Sequence, residues 1–182
     1  MKTLLSDLVT DIRMLFRVPV SAFFTVVFPS LMLIIMMASY GNPDIGSGIR
    51  LSDKYVLIAS GMGLAPLSLI TFPSWICSSV ESSYLLRLKY FHVSLVRVAT
   101  SNALAHMVIA LCGTAVTLAV GVLFYDTRIP GLPALIAYLL QLIVVTASLM
   151  LFGAALAFIV RQTAVAIAVG LVLMFVVYML CG

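Results

Sequence analysis

The chain has 182 residues, 64% of them hydrophobic and 9% charged, with a net charge of +4 and a mean hydropathy of +1.25. This composition lies far outside soluble globular averages and belongs to a protein whose solvent is a bilayer. It excludes a water-soluble domain; nucleic acid is not an expected partner, and neither a metal nor a cofactor is expected.

Residues 1–17 come first. Leu4, Leu5, Leu8, Ile12, Leu15 and Phe16 recur at helical spacing, with Asp7, Asp11 and Arg17 on other faces, which predicts a helix lying on the inner membrane surface. The same charges, with Arg13, interrupt the place where a signal peptide would carry its apolar core, so the first span is expected to stay as an anchor. Arg17-Val18-Pro19 suits a bend into that span. The surface helix reads equally as a plain anchor and as a functional element.

A span needs about 20 apolar residues, because hydrocarbon offers no water to satisfy backbone N–H and C=O groups. Five runs qualify, and each predicts a helix: 18–40, 55–80, 99–125, 134–160 and 163–182. With the N-terminus in the cytoplasm, Lys2, Arg13, Arg17, Arg87, Lys89, Arg97 and Arg161 lie inside and Arg50, Lys54 and Arg128 outside. That bias obeys the positive-inside rule. The expected fold is therefore an all-α integral membrane protein, one domain over 1–182, with five transmembrane helices, an N-terminal interfacial helix over 1–17 and a further cytoplasmic helix over 81–97.

The connections leave no room for a soluble domain. Residues 41–53 carry Gly41, Asn42, Pro43, Gly46 and Gly48, and 126–133 carry Pro130, Gly131 and Pro133, all turn formers. Arg161 and Gln162 alone separate the last two spans. Residues 81–97 are different: Tyr84, Leu88, Phe91 and Leu95 share one helical face and Ser83, Arg87, Ser94 and Arg97 another. A plain connection needs only about 2 to 8 residues, so the surplus points to a docking surface or to a basic segment held by anionic headgroups.

Within the spans, Asn102 and His106 share a helical face and read either as part of a polar inner vestibule or as bonds between helices; Gln141 reads the same way. Gly61, Gly63, Pro66 and Pro73 interrupt the second span and mark it as a hinge or as a bent static helix. Gly153 with Ala157, Ala164 with Ala168, and Ala166 with Gly170 form small-residue faces suited to helix contact. Cys77, Cys112 and Cys181 have no paired spacing and are expected to be buried as small hydrophobes.

Enzyme chemistry finds little support. No phosphate-binding G-x-x-x-x-G-K-[ST] loop and no H-E-x-x-H occurs, and Ser60-Gly61 with His106 lacks the context of an intramembrane serine protease. No acidic or basic residue falls well inside a span, whereas ion-driven transporters commonly place ionisable groups at membrane depth.

The stretch from Glu81 resembles a pattern in the membrane subunits of type-2 ABC exporters, E-x-G-T-L-x-R-L-R-x-x-P-V-S. Glu81, Leu85, Arg87, Leu88, Lys89, Val93 and Ser94 fit it, with Ser83 where the family has glycine and His92 where it has proline. Arg17-Val18-Pro19 and Phe28-Pro29 also resemble the start of that family's first span. The resemblance implies a permease in a bacterial inner membrane, paired with a second permease copy or homologue and coupled through those seven residues to a separate ABC ATPase. Its cargo is unspecified, and membrane lipid surrounds it. Family members continue past a Leu-Ser-Gly-like end into an outer re-entrant region and a sixth span; Leu180-Cys181-Gly182 stands at that point, so a fragment, a truncated product or a short member is expected. The rival from another class is a non-transporting immunity, scaffold or assembly protein of the membrane.

Overall fold

The computed structural model describes residues 2–17, 23–46, 48–129 and 131–180, and the side chains of all these except 2–5 and 16. Among the described residues, five helices are long and apolar enough to cross a membrane. In chain order the elements are α1 (Lys2–Arg17), α2 (Phe23–Tyr40), strands β1 (Asp44–Gly46) and β2 (Ile49–Arg50), α3 (Leu51–Glu81), α4 (Tyr84–Tyr90), α5 (Leu95–Tyr125), α6 (Leu132–Val160) and α7 (Thr163–Leu180). The expected spans gain a turn where polar residues continue the helix: α3 begins at Leu51 and α5 at Leu95. Val18 and Pro19, with the bend expected there, and Cys181 and Gly182 lie outside the described residues.

α3 is the hub, with α2, α5, α6 and α7 all packed against it. Its most apolar stretch is 61% buried, against 17% for α7, although α3 is the least hydropathic span of the five. The inversion has a physical cause. A helix facing lipid must be apolar all round, whereas one enclosed by helices can carry Ser52, Ser60, Ser68 and Ser79, all buried.

Three prolines are built into α2 and α3, and each removes the N–H that would normally meet the carbonyl four residues earlier. Neighbours cover those carbonyls, as hydrocarbon demands. Pro66 leaves the Met62 carbonyl, and the Tyr178 hydroxyl of α7 donates to it at 2.5 Å. Pro73 leaves the Leu69 carbonyl, against which Gly170 of α7 lies so closely that a side chain there would collide. Pro29 leaves the Thr25 carbonyl, approached by Gly113 and Gly63. The helices relax by widening into single π-turns at Phe23–Val27 and Leu67–Thr71.

Of the small-residue faces, Gly153 and Ala157 meet α3 at Pro73 and Cys77, and Ala166 and Gly170 are buried. Ala164 and Ala168 are instead exposed. Cys77 is buried, its thiol 3.6 Å from the Ala157 carbonyl, but Cys112 is exposed, contrary to expectation.

α1 packs along the first half of α5. Asp7 meets Arg97, Asp11 meets Ser101, and Leu15 is buried in one cluster with Ala105 and Ile109. Steps of four on α1 match steps of four on α5, so the two helices run side by side and parallel. Farther along, Ser30 lies 3.5 Å from Thr117 and Asn42 donates to the Tyr125 carbonyl at 3.1 Å, so α2 follows the same course. Of the apolar stripe of α1, Leu15 is buried against α5, with Leu8 and Ile12 half-buried at the edge of its cluster.

Candidate functional site

One end of the bundle carries the connections 82–94 and 161–162, and the other carries strands β1 and β2 and residues 126–129. At the first end, residues 81–97 do not form a single helix. Ser83 (φ 55°) and His92 (φ 56°) adopt the left-handed conformation and bracket α4, which has seven residues.

The seven residues matched to the coupling pattern therefore separate. Glu81 closes α3, and its carboxylate accepts from the Thr163 backbone N–H at 2.9 Å and hydroxyl at 2.5 Å. It caps the start of α7, where free N–H groups and the helix dipole favour an anion. Ser94 caps α5, its hydroxyl oxygen accepting from Arg97 N–H at 3.4 Å. Val93 is half-buried, its N–H bonded to the Leu88 carbonyl at 3.0 Å.

Leu85, Arg87, Leu88 and Lys89 remain on α4. Leu85 and Leu88 are half-buried and turned toward the bundle, whereas Arg87 and Lys89 are exposed. The outward apolar surface belongs to residues that the pattern does not single out: Leu86 is 68% exposed, Tyr90 80% and Phe91 72%. Leu86 and Tyr90 are four apart, so they share a face, and that spacing is the signal by which the sequence could have revealed them. The ring of Tyr90 stands edge-on to Phe91 at 5.7 Å.

A polar seam joins α1 to α5 beside this end. Asp7 and Arg97 form an ion pair at 3.0 Å without an aligned hydrogen bond, about a third exposed on both sides. Ser101 donates to Asp11 at 2.6 Å. Burial pushes the Asp11 carboxyl above the ordinary carboxylate range; the Ser101 hydroxyl opposes this, the neighbouring Asp7 charge reinforces it, and Asn102 opposes it.

Deeper along α5, Asn102 and His106 are both buried. His106 Nδ1 lies 2.9 Å from the Asn102 carbonyl of its own helix, and the Phe72 ring stands edge-on at 5.4 Å. The two side chains form an enclosed pair within the bundle. Asn102 Oδ1 and His106 Nε2 have no protein partner among them.

The expected hinge residues also resolve into different roles. Gly63 is a close-contact position, since a side chain there would come within 2.7 Å of Pro29 and 3.1 Å of the Thr25 carbonyl. Gly61 has open space beside it and lines a cavity of about 330 Å³ between α3, α6 and α7, together with Tyr138, Gln141 and Tyr178. Pro66 immediately precedes the π-turn, and Pro73 sits at the start of the regular helix that follows. Gln141 is exposed beside that cavity instead of bridging helices.

At the opposite end, Asp53 holds the loops together by accepting from Arg50 N–H at 2.9 Å and Arg128 N–H at 2.8 Å. Among the described residues no group of three or more His, Cys, Asp or Glu side chains is placed to hold a metal. No family model matches the chain, and no curated protein and no solved structure shows significant similarity to it. Any functional reading therefore rests on the residues and their geometry.

Proposed function

We propose that the chain is the permease subunit of an ATP-driven ABC exporter, residing in a cell membrane with its N-terminus in the cytoplasm. It works as a dimer with a second copy or homologue and with two copies of a separate ATPase. The observation that carries this reading is α4: a short helix outside the spans, set between the ends of α3 and α5, that presents Leu86, Tyr90 and Phe91 to solvent beside Arg87 and Lys89. Aromatic and arginine side chains are the residues that anchor protein interfaces.

In this mechanism ATP draws the two ATPase subunits together and their motion presses on α4. Leu86, Tyr90 and Phe91 receive the force. Leu85 and Leu88 pass it to the bundle, and α3 yields at the π-turn Leu67–Thr71, where its hydrogen-bond ladder is already loosened. The chain itself makes and breaks no covalent bond, and the energy comes from the partner.

A second reading, a non-transporting scaffold or immunity protein, is favoured by the close contacts at Gly63, Gly153 and Gly170, which pack α2, α6 and α7 tightly against α3. The deciding experiment is a mild-detergent pull-down of the full chain from its native membranes, with mass spectrometry for a stoichiometric P-loop ATPase. The exporter reading expects one, lost when Leu86 and Tyr90 are both changed to Glu. Well-folded chain that brings down no ATPase would overturn it in favour of the second reading.

A further inference from the structure

The hairpin end of the bundle carries a cleft of about 680 Å³ that the exporter reading does not use. It is lined by Lys54 and Arg128, by Asp53, and by the apolar residues Ile45, Ile49 and Ile129. The three isoleucines are each more than half exposed, at the end of a membrane bundle.

The charges in and around the cleft are already sorted. Both carboxylate oxygens of Asp53 accept backbone N–H groups, from Arg50 and Arg128. Asp44 accepts from Gly46 N–H at 2.9 Å, and Asp126 is paired with Arg50 at 3.1 Å. No carboxylate among the described residues lies within ion-pair distance of Lys54 or Arg128. The Arg128 guanidinium passes close over Gly48, whose positive φ of 69° shapes the turn beneath it. The cleft thus holds two cations without ion-pair partners, with the nearest acid engaged by the backbone.

The cleft does not end there. Leu57 lines both it and the 330 Å³ groove between α3, α6 and α7. Lys54, Ile58, Gly61 and Ala65 follow one another at four- and three-residue steps, so one face of α3 runs from the cationic cleft to the apolar groove. Gly61 is the open floor of that groove, because a side chain there would meet nothing within 4 Å.

We infer that this continuous surface is a binding site for one anionic phospholipid of the leaflet at the hairpin end. Its phosphate lies between Lys54 and Arg128, and one acyl chain runs past Leu57 into the groove at Gly61. The match is in shape and charge together: a cationic pocket with an apolar rim, opening into an apolar channel, on a helix that spans the membrane. The inference does not rest on the exporter reading.

The test uses full-length chain purified in detergent and stripped of lipid, with native mass spectrometry counting retained dioleoyl-phosphatidylglycerol or dioleoyl-phosphatidylcholine. The anionic lipid should be retained about thirtyfold better, the equivalent of ~1 kcal/mol from each of two cations. Changing both Lys54→Gln and Arg128→Gln should abolish that preference, and Lys54→Arg should keep it. Gly61→Phe should weaken retention of the two-chain lipid; Ile58→Trp narrows the same groove and serves if the first variant fails to fold. Equal retention of both lipids would overturn the inference, as would an unchanged preference in the double variant. Full displacement of the lipid by glycerol phosphate, with the groove variants without effect, would show a free-anion site instead and overturn it equally.

Discussion

α3 and α4 follow one another in the chain and are built on opposite terms. α3 is irregular by sequence, broken by Gly63, Pro66 and Pro73, yet it is the most enclosed helix of the molecule. Its defects are met one by one from outside, by Tyr178, Gly170 and Gly153. α4 is a regular helix of about two turns, bracketed by left-handed residues, with no fully buried side chain. Irregularity is therefore compatible with enclosure in this protein, because neighbours complete the backbone. In α3 side-chain identity specifies fit, and in α4 it specifies what is presented to a partner.

That contrast can be broken by substitution. The largest effect is expected for Gly170→Val, whose side chain would be driven into the Leu69 carbonyl and Ile70; a loss of about 3 kcal/mol is expected from overpacking. Ala164→Val, at an exposed position of the same helix, should stay within about 0.5 kcal/mol. Reversible unfolding in mixed micelles measures both, and equal effects would remove α3 from its place as hub.

Next in size is Tyr178→Phe, which strips the donor from the Met62 carbonyl and leaves that group unmet in an apolar setting. A loss of about 1–3 kcal/mol is expected by the same unfolding assay. No change would mean that the carbonyl freed by Pro66 needs no outside donor.

The seam that ties α1 to α5 should respond to pH. Because burial raises the Asp11 carboxyl in the folded state, the folded chain keeps its proton longer than the unfolded chain. The contribution of this group is therefore fully present below the ordinary carboxylate pKa and is lost as pH rises through the higher folded value. Asp11→Asn should flatten that part of a melting-temperature profile taken from pH 3 to 7. An unaltered slope would assign the pH response to another group.

The smallest stability effect is expected on α4. Leu86→Glu with Tyr90→Glu should move unfolding by no more than about 0.5 kcal/mol for each change, since both side chains face solvent. The same pair should abolish capture of the ATPase under the exporter proposal. A large loss of stability would instead place these side chains in the fold.

The spans were legible because a run of about 20 apolar residues has few other meanings. The α5–α6 connection also fell where turn residues predict it, and the α6–α7 connection at Arg161 and Gln162, which interrupt the apolar sequence. What the sequence concealed was the direction of the faces. The stripe Leu8, Ile12 and Leu15 has the same periodicity whether it meets lipid or another helix, and the partner positions Arg97, Ser101 and Ala105 lie about 90 residues away. The pattern from Glu81 to Ser94 was visible as a string, but its two ends serve as helix caps, which depend on where the helices stop. The short hairpin β1–β2 was not legible because strands of three and two residues are too short to carry a period-two pattern. The pairing of prolines with distant glycines was hidden for the same reason as the α1 seam: periodicity reports a face and not its neighbour.

The Tyr178 bond to the Met62 carbonyl also bears on how the chain is made. The hydroxyl comes 116 residues after the carbonyl it serves. While a ribosome is still extending the chain, α3 is already synthesised but lacks both this donor and the cover of Gly170. Released alone into hydrocarbon, it would expose unmet backbone at two levels, a state that a bilayer strongly disfavours. α3 is thus a helix whose stable residence in lipid waits on α7, so it settles out of order, held firmly only after a span made long after it has arrived.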